Sequence, residues 1–475
     1  MNLRQKVFNG ILWSSIERFS GAGVSFLISI FIARLLSPSD YGIIAMLSIF
    51  FSFFNVFVDS GFGSALIRKV DRSESDNSTV FYFNILVGFI ASLTFFLLAP
   101  FIADFFGIAI LTPITRILST TVFISSFSIV QQALLTSRID FKTQAKISLT
   151  TTIVSGCLGL WYAYSGFGVW ALVIQMMVAS ILRSILLWTF VKWTPTMPFS
   201  RTSFKNLFGF GSKLLASSLL EITYNNIYVL VIGKLFSTTD LGNYSRANQF
   251  AQFPSSNITN IIQRVTFPAL SHIQDEDERL SVSYRKILRM SSFIIFPLMI
   301  GLAAIAYPLI VLLLTEKWAG AVIYFQIICF ALMWFPIHAI NLNILQVKGR
   351  SDLFLRVELI KKVIGVSILL ITIPMGLVAM CFGQIITSLI CLVVNTYYTS
   401  KLINLGFLKQ MRDLSSTLMA SLIMGATVYL MLPLLSERYI QLPTGIIIGV
   451  SVYSLIAYTF RFKELRYLRE LIMHK

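Results

Sequence analysis

The sequence predicts an all-α polytopic membrane protein of about fourteen transmembrane helices, arranged as two six-helix lobes in parallel repeat with two further helices appended. Three observations predict it. Of 475 residues, 56% are apolar and only 12% are charged, about half the charged share of a soluble domain, and that is too little to cover a water-facing surface of this size. Fourteen windows are long and apolar enough to cross about 30 Å of hydrocarbon as helices. A nine-residue segment recurs at an offset of 200 residues.

In chain order the windows lie near 10–33, 41–64, 79–101, 113–136, 145–165, 168–190, 207–233, 241–268, 287–314, 318–346, 354–374, 377–399, 414–435 and 442–460. Helices 1, 7, 8 and 11 contain ionisable groups and are the weakest by hydropathy. Arg4 and Lys6 precede the first window, but no small-residue cleavage site closes a short apolar core there. It reads as a retained span. The outer loops are short, as at 165–168 and 315–318. The longest inner segments, 191–206 with Pro195 and Pro198 and 270–286 with the acidic run Asp275–Glu278, are too short for a nucleotide-binding domain. Cys157, Cys329, Cys381 and Cys391 fall inside apolar runs without metal or redox spacing, so no disulfide framework is implied.

The net charge of +17 would suggest a nucleic-acid partner in a soluble protein; here its distribution gives it another meaning. Of the 38 Lys and Arg, 27 fall in the N-terminal segment and alternate loops and tail, five on the opposite side and six within spans. Cytoplasmic loops carry the basic excess, so both termini are expected in the cytoplasm of a multi-pass protein. The basic tail, 461–475, is expected to lie on anionic lipid.

The repeat aligns Arg34-Leu35-Leu36-Ser37-Pro38-Ser39-Asp40-Tyr41-Gly42 with Lys234-Leu235-Phe236-Ser237-Thr238-Thr239-Asp240-Leu241-Gly242, four identities in nine plus the Arg/Lys match. Both copies sit between the first and second helix of a six-helix unit, with Ser37 and Ser237 as candidate caps. The expected organisation is therefore an N-lobe at 1–195, a C-lobe at 196–400, and helices 13 and 14 with the tail at 401–475. Parallel repeats of this kind form transporters with a pathway at the lobe interface.

A wet pathway requires polar residues at helical spacing. Helix 1 has Ser14, Arg18, Gly21, Ser25 and Ser29, and helix 2 has Ser48, Ser52, Asn55 and Asp59. Helix 7 has Ser217, Glu221, Asn225 and Tyr228, and helix 8 has Gln249, Gln252, Ser256, Thr259 and Gln263. Single Ser, Asn or Gln residues commonly hold helices together, and that accounts for about half of them. A charge at mid-membrane costs roughly 2.5–3.5 kcal/mol and must face water or a partner. Arg18, Arg264 and Lys361, with Arg246 at the outer end of helix 8, suit an anionic solute, while Gln249, Gln252, Ser256 and Asn225 would contact its polar remainder. Snorkelling is the competing reading for Lys361 and Lys362. Glu17, Asp59 and Glu221 are candidate ion-coupling carboxylates, Glu221 alternatively neutralising Arg18. For Arg116 and Arg183, pairing or structural burial is favoured over ligand contact. His338, one turn before Asn341, is read as a satisfied interior histidine in preference to a proton relay. The chain has no phosphate loop of the G-x-x-x-x-G-K-[ST] type, no metal-ligand cluster and no G-x-S-x-G. Neither catalysis nor ATP hydrolysis is expected, and no cofactor beyond H+ or Na+ as a coupling ion.

The stretches NGILWSSIERFSGAGVSFLISIFIARLLSPSDYGIIAM, ITNIIQRVTFPALSHIQDEDERLSVSYRKIL and LLTEKWAGAV, in this order and with fourteen spans, resemble the Wzx-type polysaccharide flippases of the MOP superfamily, in particular the colanic-acid exporter WzxC subgroup. The resemblance covers almost the whole chain. It implies a flippase that moves an undecaprenyl-diphosphate-linked oligosaccharide repeat unit across the bacterial inner membrane by alternating access, for exopolysaccharide, capsule or O-antigen biosynthesis. The implied partners are the lipid-linked oligosaccharide, membrane lipids and the polysaccharide polymerase machinery, with no nucleic acid. It also implies a cationic cavity lined by the first two helices of each lobe, here helices 1, 2, 7 and 8. The alternative is a MATE-like ion-coupled drug antiporter of the same superfamily, for which an acidic cavity would be expected.

Overall fold

A computed structural model describes residues 21, 23–59, 61–69, 71–435 and 437–465. The described chain is helical: α1 (Gly23–Leu35), α2 (Pro38–Asp59), α3 (Phe62–Arg68), α4 (Glu74–Phe106), α5 (Leu111–Ser126), α6 (Ile129–Ser137), α7 (Phe141–Tyr164), α8 (Val169–Val191), α9 (Arg201–Asn225), α10 (Ile227–Leu235), α11 (Thr238–Ser271), α12 (Asp277–Ala304), α13 (Ala306–Leu314), α14 (Ala321–Leu332), α15 (Phe335–Val347), α16 (Ser351–Thr372), α17 (Leu377–Ile403), α18 (Phe407–Met431) and α19 (Arg438–Thr459). There is no strand among the described residues.

Among the described residues eight helices are long and apolar enough to cross a membrane, α14 and α15 counting as one, and two bent pairs, α5 with α6 and α9 with α10, bring the number to ten. Each of the remaining four expected spans also has a helix at its place: α1, α7, α11 and α16. The ranking by hydropathy changes in one respect. Helix 7 qualifies as the α9–α10 pair, whereas helix 5, α7, does not, because Lys142, Gln144, Lys146 and a run of threonines dilute it. In α16 the exposed residues Leu359, Val363, Leu370 and Ile371 are apolar. Its charged pair Glu358 and Lys361 is turned partly inward, as expected of a helix bordered by lipid.

Both 44° bends have a local cause. Ser125 and Ser126 donate to the carbonyls of Val122 and Phe123 at 2.7 Å, competing with the helix ladder before α6. Asn226 donates through its side chain to the Ile222 carbonyl at 2.9 Å where α9 stops. Elsewhere the ends carry regular caps. Ser73 and Asp76 form a capping box at the start of α4, and Gly107 at φ 71° closes its end. Aromatic residues Trp161, Tyr164 and Phe167 stand exposed at the α7–α8 turn, the position of an interfacial belt.

The fold divides into two compact units at Gly242/Asn243, within the first turns of α11. In the first unit α4 pairs with α5 and α7 with α8, and α9 and α10 pack on α2, α3 and α4. Its core joins Phe62, Leu66, Val80, Leu134, Ile147 and Leu187. The repeated segments also meet inside this unit. Ser37 and Ser237 are both caps, Ser37 Oγ accepting from the Asp40 N–H at 3.2 Å and Ser237 Oγ from the Asp240 N–H at 3.0 Å, while each hydroxyl donates to the same aspartate's carboxylate. The hydroxyls of Ser39 and Thr238 share a hydrogen bond of 2.7 Å.

In the second unit α12 lies against α18 and α14, and α17 against α14, α15 and α16. Asp413 on α18 takes both Arg285, at 2.6 and 2.7 Å, and Arg289 from α12. Tyr453 on α19 donates to the Phe293 carbonyl at 3.0 Å. A buried polar network ties α15, α17 and α18 together: Gln410 and Asn341 exchange bonds at 3.1 Å and Thr399 donates to Asn341 at 2.9 Å.

Candidate functional site

α11 presents the longest polar face. Pro254 and Pro268 interrupt its ladder, and Gln249, Gln252, Asn260 and Arg264 are exposed along it, with Ser256 and Gln263 half-buried. Ser256 satisfies its own hydroxyl by donating to the Gln252 carbonyl at 2.7 Å. Thr259, placed on this stripe by its spacing, is buried instead and donates to the Ser255 carbonyl at 2.7 Å, so it belongs to the packing face. Arg246 is 3% exposed. Its guanidinium donates to Gln249 at 2.6 Å and lies 5.9 Å from the Trp318 ring centre, a cation–π distance. The structure thus brings two predicted residues, Arg246 and Gln249, into contact. Arg264 is eighteen residues further on, about 27 Å along the helix axis, so the two cations mark opposite ends of one polar stripe.

On α9, Ser217, Glu221 and Asn225 are exposed at i, i+4 and i+8, one face that ends at the Asn226 break. Lys361 is paired with Glu358 at 2.7 Å, and that carboxylate offsets its charge. Arg18 and Glu17 lie outside the described residues.

A polar cavity of about 370 Å³ lies within the first unit, between α2, α3, α5, α6 and α8. Asp59 and Asn55, two residues of the predicted helix 2 stripe, line it, and so do Ser125, Gln132, Ser180 and Arg183. Ser125 Oγ lies 3.2 Å from Asn55 Oδ1, and Arg183 reaches Gln132 at 3.5 Å. Among the described residues Arg183 has no carboxylate within 4.0 Å, so the pairing or burial expected of it is not found: it is an exposed cation on a cavity wall. Gln132 and Ser180 are missing from the expected set although the sequence carries a signal for them: Ser125, Ser128, Gln132 and Thr136 recur at helical spacing, and Ser180 stands one turn before Arg183 and Ser184. Arg116 is likewise exposed, 5.1 Å from the Phe96 ring centre, because its place near the start of α5 lets the side chain leave the helix packing.

His338 has a partner on each ring nitrogen. Asn395 donates to Nδ1 at 3.0 Å, so Nε2 carries the hydrogen and gives it to Ser388 Oγ at 3.0 Å; that hydroxyl donates on to the Ala331 carbonyl. Asn341 turns away to Gln410 and Thr399. This is a neutral, satisfied interior imidazole. Among the described residues no group of three His, Cys, Asp or Glu is placed to hold a metal.

Long apolar helices, intramembrane charges and a repeated turn define a multi-pass membrane protein of the transporter type. The chain belongs to the polysaccharide biosynthesis protein family, whose sequence profile matches residues 31–323. It is 23% identical over 398 residues to the lipopolysaccharide biosynthesis protein WzxC of Escherichia coli K12, covering 83% of this chain and 80% of that protein. To the teichuronic acid biosynthesis protein TuaB of Bacillus subtilis 168 it is 26% identical over 355 residues, 74% and 73% of the two chains. The fold is that of the lipid II flippase MurJ in its inward closed conformation, with a TM-score of 0.77 at 14% identity over 97% of this chain and 100% of that one.

Proposed function

We propose that this protein is a flippase that carries an undecaprenyl-diphosphate-linked oligosaccharide repeat unit across the bacterial inner membrane by alternating access. The observation that supports it most is the conjunction of family and fold: a polysaccharide biosynthesis sequence profile on the fold of a lipid flippase. The chemistry agrees. A diphosphate needs cations and a glycan needs amides and hydroxyls, and α11 offers Arg246 and Arg264 at its ends with Gln249, Gln252 and Ser256 between them. Arg18, Lys361 and Asn225 complete the proposed set. Both termini are cytoplasmic in this reading, in keeping with the 27 basic residues on their side. The N-lobe at 1–195 and the C-lobe at 196–400 are the proposed moving bodies. The exported unit would pass to a polysaccharide polymerase.

An inside-negative potential expels a doubly charged anion with about 4.6 kcal/mol per 100 mV, and electrophoresis is one proposed drive. Proton or sodium exchange at Glu17, Asp59 or Glu221 is the competing drive. The test is reconstitution with a lipid-linked oligosaccharide, its leaflet read by a membrane-impermeant sugar oxidant, under imposed potential and imposed ion gradients. Protein-dependent movement that accelerates with potential is the expected result. Absence of protein-dependent movement under every condition rejects the assignment.

A further inference from the structure

The α12, α18 and α19 face carries two features that the transport reading leaves unused. At the start of α12 a pocket of about 400 Å³ is lined by Arg285, Lys286, Arg289 and Lys463, with Glu464 beside them. Asp413 is shared by Arg285 and Arg289. Four cations against the two carboxylates leave a surplus of two positive charges. Further along the same helices lies a groove of about 410 Å³ whose wall is almost wholly apolar, formed by Leu298, Gly301, Leu302, Met424, Gly449 and Val450 among others. Arg289 and Pro297, at the facing edges of pocket and groove, are eight residues apart, about 12 Å along the helix axis. On the same helices Tyr453, which lines the groove, donates to the Phe293 carbonyl at 3.0 Å, and Phe293 meets Phe462, next to Lys463 of the pocket, with ring centres 6.3 Å apart, so packed aromatic residues link groove and pocket.

We infer that this face is a resident site for an anionic glycerophospholipid, the phosphate seated in the basic pocket and an acyl chain in the groove. Charge complementarity chooses the headgroup: a surplus of two positive charges attracts a phosphodiester and gives no preference to a zwitterion, and basic pockets between helices at the cytoplasmic side are suited to anionic lipid heads. The groove chooses a lipid over a free anion, because its apolar wall holds nothing for phosphate. The leaflet, inner, takes its orientation from the topology proposed above; the binding itself does not depend on that reading or on transport.

The test is native mass spectrometry of the full chain purified in mild detergent, with phosphatidylglycerol and phosphatidylcholine of the same acyl chains added at equal concentration. Preferential retention of phosphatidylglycerol is expected. Lys286→Gln and Lys463→Gln, which leave the Asp413 pairs in place, should weaken it about fivefold each and leave phosphatidylcholine unchanged. Gly449→Phe, which fills the groove, should lower retention with the basic pocket intact. For any variant that does not elute as a single species, the wild-type chain is measured at raised ionic strength, where the preference should shrink. Equal retention of the two lipids, or a preference unchanged by charge removal and by salt, overturns the site. Inorganic phosphate that raises the melting temperature as much as phosphatidylglycerol overturns the lipid assignment, and so does displacement of phosphatidylglycerol by equimolar undecaprenyl phosphate. Flipping by the wild-type chain without any of this retention would leave the transport reading standing and this one rejected.

Discussion

Gly42 and Gly242, 200 residues apart, occupy the same place in two copies of one turn, and each lies against the backbone of the other copy. A Cβ on Gly42 would fall 1.8 Å from the Thr238 carbonyl oxygen, and one on Gly242 would fall 1.8 Å from the Pro38 carbonyl oxygen. No real Cβ tolerates that distance, so any side chain here must drive the turns apart. Gly42→Ala and Gly242→Ala are each expected to destabilise the protein by about 1–3 kcal/mol, the usual range for overpacking. The check is a lowered melting temperature in detergent, with Gly209→Ala, whose Cβ would meet nothing within 4 Å, as the control.

The hydrogen bond between Ser39 and Thr238 gives a direct handle on the same contact. These are the first turns of α2 and α11, the second helix of each proposed lobe, and in the topology and alternating-access cycle proposed above the two would part on the outer side. The double variant Ser39→Cys, Thr238→Cys should cross-link on mild oxidation, lose flipping in proteoliposomes and regain it with a reductant. Undiminished flipping by fully cross-linked protein would show that these turns stay together throughout the cycle.

Asp413 illustrates the asymmetry of a shared ion pair. Its side chain is 2% exposed while Arg285 and Arg289 are 44% and 29% exposed, so solvent screens the arginines far more than the carboxylate. Asp413→Ala removes the acceptor of both and leaves two cations facing each other, whereas Arg285→Ala leaves one pair standing. Loss of about 1–3 kcal/mol for the first and clearly less for the second is expected. Thermal unfolding of the two variants in one detergent decides it, and equal losses would show that Arg289 contributes nothing to holding Asp413.

The helices were legible because hydrocarbon allows so few alternatives: among the described residues every expected span has a helix, the first from residue 23 on, and even Ser37 and Ser237 act as the caps that their spacing suggests. Legibility ended where function depends on which face turns inward. Thr259 fits the periodicity of the α11 stripe yet is buried, since the packing of neighbouring helices decides the face. Arg183 reads as structural because a lone arginine in an apolar run is usually paired, and only the assembly of five helices shows it on a cavity wall with Asp59. Lys361 reads as a cation for the solute or as a snorkelling one, and Glu358 three residues earlier turns out to be its partner.

That cavity separates two of the candidate coupling carboxylates. Asp59 lines it with Asn55, Ser125 and Gln132, a set of oxygens and amides able to receive a cation or to solvate a protonated carboxyl, while Glu221 is not part of that lining, although both carboxylates are exposed. A carboxylate that couples an ion is helped by neighbours that share the ion with it, and this cavity gives Asp59 such neighbours. Asp59→Asn is therefore expected to abolish any acceleration of flipping by an imposed proton or sodium gradient while the response to membrane potential persists, because the neutral amide keeps the hydrogen-bonding shape and loses only the charge. Glu221→Gln should leave the gradient response intact. Arg183→Gln, which removes the cation nearest in the same cavity wall, should shift the dependence toward lower ion concentration, since an adjacent positive charge opposes cation binding. Flipping rates in vesicles across a series of sodium and proton gradients read all three, and a gradient response retained in Asp59→Asn but lost in Glu221→Gln would transfer the coupling role to α9.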